Sequence, residues 1–490
     1  MKKFSATRRS TLKGLGAMGA MTIIGVKGAW GKESHSYTSM NDTRKAIFQK
    51  VQQTPFIDTH EHLIEEKDRF TRIRHPLVRV AADDWTMILS HYFDSDMITA
   101  GMPKDDFDRF FSSDVDPMKK WKLIEPFWPF IKNTGYGQNV QITIRELYGV
   151  DELSAKTIPQ VQAGYEKVRR PGFYKYILRD LSNIKSCQVN SLEGSPFKES
   201  AQPLLLMQDL SIVGMFTGEH WGNLAGPQFA KFSEPTGISV SSLQDWYRVI
   251  DWWFDKYSKY AVAVKSQNAY ARDIDYDNVP VEEAEKIFKK RLAKENISAK
   301  ENKALEDHLF WYAVRKATEK NLPVKLHTGY YAGHNYMPLS RLTKNPGSVT
   351  ALCKNAPETR FVFMHICYPY YEELISVAKH YANAHVDMCW SWIINPLAAK
   401  DFLKKYIVTA PANKLLTFGG DYIPVELVLG HAVIARQGIA QALSELVEEQ
   451  WLTLQDALDL VDPIMHENAE RIFNLAEKEK ALKNASWSKA

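Results

Sequence analysis

The chain has 490 residues, 45% hydrophobic and 24% charged, an ordinary globular composition with core enough for one large domain carrying insertions or for two to three smaller ones. Its formal charge of +4 comes from the N-terminus: setting aside Lys2, Lys3, Arg8, Arg9, Lys13 and Lys27, which no acid accompanies there, leaves −2. A near-neutral body excludes an electrostatic footprint for nucleic acid or anionic lipid.

Residues 1–31 read as an export signal rather than as a disordered basic tail. The pair Arg8-Arg9 precedes Leu12-Lys13 and a modest apolar run from Leu15 to Val26, and Ala29 and Gly31 are small residues spaced for cleavage. The run is too short and too rich in glycine and alanine for a stable membrane span. The segment resembles a twin-arginine signal, which implies the twin-arginine export machinery as a partner of the precursor and the bacterial periplasm as the destination of residues 32–490.

The first expected strand lies in "TPFIDTHEHLI" (54–64), where Phe56 and Ile57 run into Asp58-Thr59-His60-Glu61-His62. On a strand, residues i and i+2 share a face, so His60 and His62 aim at one point. Imidazole is the commonest neutral metal ligand, although His-X-His also occurs on wet strand edges.

Residues 68–180 follow as a mostly helical insertion rich in aromatic and charged residues, among them Trp85, His91, Tyr92, Trp121 and Trp128. Strands are expected at 185–190 and 204–216, joined by a connection short for a crossover helix. An amphipathic helix over 241–258 leads into a strand at 260–267, and a helix over 303–320 turns through Asn321-Leu322-Pro323 into Val324–His327. "RFVFMHICY" (360–368) gives the next strand, followed by a helix to Tyr381. "NAHVDMCWSW" (383–392) and "KLLTFGGDY" (414–422) give two more, and 425–450 is helical. Alternating strands and amphipathic helices predict parallel βαβ units. Seven or eight strands suffice for an α/β fold of the (β/α)8 TIM-barrel type, with the helical insertion between strands 1 and 2.

Cys187, Cys353, Cys367 and Cys389 show no CxxC spacing and read as reduced core thiols, with a Cys367–Cys389 bridge left open.

The strands end alike. The first closes on His60 and His62, the one at 260–264 on Lys265, "VKL" on His327, "FVFM" on His365 and "LLTFGG" on Asp421. Any one of these alone is most simply a satisfied core histidine or a helix cap. Five in a barrel order converge on one mouth, which predicts a metal site.

That order, with "FIDTHEHL", "VKLHTG", "FVFMHICY", "LLTFGGDYIPVE" and the closing "HENAERIFNL" (466–475), resembles the metal-dependent amidohydrolase superfamily over about residues 50–475. The long insertion and "CWSWIINP" (389–396) resemble the branch containing uronate isomerase and metal-dependent decarboxylases. The resemblance implies a divalent ion, Zn2+ foremost with Mn2+ or Fe2+ as alternatives, held by His60, His62, His327 and Asp421. It further implies that Asp421 takes a proton from an activated water. His365 would then polarise substrate, and Lys265 would either hold a substrate carboxylate or bridge two ions as a carbamate. The branch favours one ion over two.

At the rim, His220, Arg272, Trp390 and Trp392 are candidate substrate contacts, beside Tyr270 and Tyr330; the two tryptophans alternate and are expected to face one side, although tryptophan at a barrel end is more often plain packing. The expected activity is metal-dependent hydrolysis of a small amide, ester or lactone. The alternatives are isomerisation or decarboxylation of a sugar acid or aryl acid, and a non-catalytic binding protein; the sequence leaves homo-oligomerisation open.

Overall fold

The computed structural model describes residues 41–70, 83–216, 229–333 and 337–489. The signal-like segment 1–31 and the candidate His220 lie outside the described residues.

Among the described residues nine strands form two all-parallel sheets. β1 (Phe56–Glu61), β2 (Ile184–Val189) and β3 (Leu206–Gln208) make one. β4 (Leu210–Ser211), β5 (Val264–Ser266), β6 (Val324–His327), β7 (Phe361–Met364), β8 (Ala384–Asp387) and β9 (Leu415–Leu416) make the other. Chain order and spatial order agree in both, as short apolar strands separated by crossover helices require.

These ladders alone do not complete the expected eight-stranded ring, but the sheets meet on both sides. At Asp209 one run of chain serves both: Asp209 N–H donates to Val189 O (2.9 Å), and Leu210 N–H donates to Ala263 O (2.8 Å). On the other side the segment after β9 lies along β1, with Thr59 N–H on Phe418 O (3.0 Å) and Asp421 N–H on His60 O (2.8 Å).

Two strand expectations are corrected. The run 204–216 leaves β geometry after Ser211 and closes as a helical turn, Val213–Phe216. The run 383–392 ends as a strand at Asp387; Trp390 takes φ +64° and Ser391–Ile394 are helical. Apolar composition allowed either conformation, and only tertiary hydrogen bonds decide.

The helices start where the sequence supplies caps. Ser298 and Glu301 form a reciprocal capping box for Ala299–Glu319, and Ser242 caps Leu243–Tyr257. All described elements between β1 and β2 are helical. The helix Glu426–Glu448 lies against this outer layer and against β1's root, where the buried guanidinium of Arg436 donates to Thr54 O (2.7 Å) and Ser182 O (3.1 Å) and lies over the Phe56 ring. Inside, Lys325 bonds Thr59 O (2.7 Å) and both Asp209 oxygens (3.0 Å), a fully buried ion pair beneath the strand ends. No helix among the described residues is long and apolar enough to cross a membrane.

Candidate metal centre

His60 and His62 leave β1 on one side, as a period of two dictates, with ring centroids 4.6 Å apart. Asp421 comes to them from the Gly419-Gly420 turn. Its Oδ1 lies 3.1 Å from His60 Nε2 and 3.2 Å from His62 Nε2. Glu61 packs tightly against the turn: a Cβ on Gly420 would sit 1.9 Å from Glu61 Oε1 and displace that carboxylate. Glu61 Oε2 meanwhile accepts the Tyr422 N–H at 2.6 Å, and Asp421 itself takes φ +63°. The chain holds a left-handed aspartate in place from both flanks, and such local strain recurs at His365 (φ +61°) and Trp390.

Hydrogen-bond partners fix which imidazole nitrogens are free. His62 Nδ1 faces Asn190 O at 2.8 Å, and His365 Nδ1 faces Cys389 O at 3.0 Å. A carbonyl only accepts, so both Nδ1 atoms carry a proton and both rings turn Nε2 toward the site. His365 Nε2 is 4.0 Å from Asp421 Oδ2. Burial holds His60 and His327 well below the usual imidazole range and His365 at about 4, so all three are neutral. Burial alone would push the Asp421 carboxyl up, but the neighbouring His60 and His62 override it and hold it well below the carboxylate range. Neutral imidazoles around an ionised carboxylate are the donor set of a divalent cation site.

Among the described residues two groups bring three ligand atoms within 4.8 Å of one another: His60, His62 and Asp421, and His365, Cys389 and Asp421. His327 is in neither. Its Nε2 donates to Tyr330 O at 2.9 Å, and its ring packs beside His365 with centroids 4.4 Å apart. The expected ligand His327 stands in this structure beside the site, its Nε2 occupied by Tyr330 O.

Lys265 is 1% exposed, and its Nζ lies 2.7 Å from the Met364 thioether sulfur. Burial lowers its amine to about 8. Arg272 turns into the protein. It is buried, bonded to Glu306 (3.0 Å) and Asp307, and stacked over Tyr276, so its guanidinium is spent inside the protein. The tryptophans separate as well. Trp390 stands edge-on to His365 at 5.2 Å, whereas Trp392 donates Nε1–H to Thr417 O (2.8 Å) and packs against the helix at Gly438. Alternation fails because the strand has already ended.

Several site residues escaped the sequence reading. Tyr92 reaches in from the helical region on a left-handed turn with His91 (φ +84° and +55°), has its hydroxyl pKa raised well above the usual tyrosine range by burial and the Asp421 charge, and stacks on Trp390 at 4.8 Å. No strand pattern marks it. Asp58 shares the parity of His60 and His62, which was a usable signal; its Oδ1 accepts from His60 N–H (3.1 Å) and Gly420 N–H (3.2 Å). Asp58 and Glu61 hydrogen-bond each other, and burial pushes both upward. Cys389, read as a core thiol, is buried as expected, and all four cysteines are unpaired, which closes the Cys367–Cys389 alternative. Its sulfur nevertheless lies in the site.

Comparison with known proteins agrees with this geometry. Residues 247–475 match the Amidohydrolase family model. Protein fluG of Emericella nidulans is 25% identical over 232 residues, which cover 44% of this chain and 26% of that protein, so the match spans about a quarter of the relative. Among solved structures, uronate isomerase from Thermotoga maritima aligns with a TM-score of 0.69 at 14% identity, covering 89% of this chain and 98% of that one. Glucuronate isomerase from Caulobacter crescentus gives 0.68 at 14%, covering 88% and 94%. A Lactobacillus casei protein provisionally assigned as a metal-dependent hydrolase gives 0.58 at 15%, covering 88% and 98%. At such identities the likeness shows a shared mixed α/β fold and nothing further. The family match covers just under half of the chain and the structural likeness shows the fold, while His60, His62 and Asp421 form a group that could hold a metal ion.

Proposed function

We propose that this protein is a metal-dependent hydrolase of a small amide, ester or lactone, built on a (β/α)8 barrel with a helical insertion between strands 1 and 2. One observation carries the reading: Asp421 Oδ1 within 3.2 Å of both His60 Nε2 and His62 Nε2, at the ends of adjoining strand segments. His60, His62 and Asp421 would hold the cation, with zinc suited to the set and manganese or iron compatible with it. Bound there, the cation supplies Lewis acidity and an activated water near neutral pH.

The chain's own groups divide into acceptors and one donor. Asp421, ionised, takes a proton from the nucleophile. His365 presents an unprotonated Nε2 and therefore accepts a hydrogen bond; it does not polarise a carbonyl as a donor. The Tyr92 hydroxyl, which burial and the Asp421 charge keep protonated, donates. Trp390 and Tyr92 form an aromatic wall that excludes water beside these groups.

A second reading, isomerisation of a sugar acid, draws on the printed activities of the Thermotoga and Caulobacter relatives. The same acceptor and donor would pass a proton between neighbouring carbons. A substrate screen with metal supplied, in isotopically labelled water, separates the two. Cleavage or ring opening with solvent oxygen in the new carboxylate marks hydrolysis; aldose–ketose interconversion without cleavage, with solvent hydrogen carried onto carbon, marks isomerisation. Turnover equal in metal-free and metal-loaded protein contradicts both. The reading extends to export of the precursor by the twin-arginine route and a periplasmic mature chain, 32–490. It is tested by replacing Arg8 and Arg9 with Lys, which should retain the precursor in the cytoplasm.

A further inference from the structure

We propose that the Oδ2 side of Asp421 is part of a second cation position, completed by His365 Nε2 and Cys389 Sγ and suited to a soft ion such as zinc. The inference rests on the reading of Asp421 as a metal ligand and adds a thiolate to it.

Cys389 is held as a ligand would be. Its N–H donates to Asp387 Oδ1 (2.8 Å), its carbonyl fixes the His365 ring through Nδ1 (3.0 Å), and the next residue's N–H donates to Gly419 O (2.9 Å). One residue thus places its own sulfur and frees the Nε2 lone pair of its partner. Gly419 leaves the sulfur its space, since a Cβ there would stand 3.0 Å from Sγ. His60 and His62 use Oδ1 of Asp421, while His365 faces Oδ2 at 4.0 Å, so the carboxylate is arranged to bridge. Binding exchanges the thiol proton for the metal: an S–metal bond forms, the S–H bond breaks, and the proton goes to solvent. An ion seated there occupies both acceptors assigned to catalysis, so excess soft metal inhibits.

Cobalt(II) titration of the metal-free full-length protein, without oxygen, tests this. The first equivalent should bind without a near-ultraviolet thiolate-to-cobalt charge-transfer band, and the second should bring the band. Cys389→Ser and His365→Ala should each keep the first equivalent and lose the second with its band. Saturation at one equivalent without the band overturns this inference and leaves the proposed function standing. A band already present with the first equivalent, or one that persists in Cys389→Ser, overturns the two-position arrangement. No cobalt binding at all overturns both readings.

Discussion

The Nδ1–H of His62 donates to the backbone carbonyl of Asn190 at 2.8 Å, and this single bond turns Nε2 toward Asp421. Asn190 follows β2 directly, so the neighbouring strand orients the ligand that β1 carries. Its side-chain nitrogen donates in turn to Gln267 Oε1 at 3.0 Å, linking the orientation to the end of β5. Outer bonds of this kind set the tautomer and the angle of a metal-binding imidazole.

Asp421→Asn keeps the shape of the side chain and removes both its charge and its capacity to accept a proton. Turnover is expected to fall by about 10²–10⁴-fold with the melting temperature nearly unchanged. Steady-state kinetics beside a thermal melt checks it; turnover within a few-fold of wild type removes Asp421 from the mechanism.

His327→Ala separates the sequence expectation from the structure. With Nε2 committed to Tyr330 O, His327 is not needed to hold the ion, and the variant should retain wild-type metal content. Loss of metal in proportion to that seen on removing His60 would restore His327 as a ligand.

Tyr92→Phe deletes only the hydroxyl, which the Asp421 charge helps keep protonated, and leaves the stack on Trp390 in place. Metal content should stay, and kcat should drop about 10²-fold, the scale of one positioned proton donor. An unchanged kcat would reduce Tyr92 to packing.

Lys265 gives a stability signature in metal-free protein. Its folded-state amine is lowered from 10.5 to about 8, so the folded chain disfavours the charged form. The resulting penalty is full below about pH 8 and fades as pH rises toward 10.5. At order of magnitude it amounts to about 3 kcal/mol, from 1.36 kcal/mol per unit. Lys265→Met should therefore be more stable than wild type at pH 7, with the gap closing by pH 10. Denaturant melts at both pH values measure it; a gap independent of pH would show that the lysine is neutral throughout or paired.

Much of this was legible in the sequence. Continuous apolar runs such as Val324–Leu326 and Phe361–Met364 read as buried parallel strands because nothing but a strand of that length fits between the helices. Strand parity likewise brought His60 and His62 together. What failed depended on contacts distant in sequence. Arg272 looks free until Glu306 and Asp307 fold onto it from another helix. His327 and His365 end neighbouring strands in the same way, and the left-handed turn at His365 with the Cys389 carbonyl decides which of them faces Asp421. Tyr92 sits in helical sequence without a period that points at the mouth; its two positive-φ residues are a tertiary fact.

The most direct test of the metal centre is an equilibrium zinc titration of the metal-free protein, with wild type, His60→Ala and His62→Ala side by side. The account predicts tight binding of the first equivalent in wild type and at least a 10²-fold loss in each variant, since each removes a first ligand and leaves the other two too few. Wild-type affinity for that equivalent in both variants would show that the two histidines ending β1 do not hold the ion.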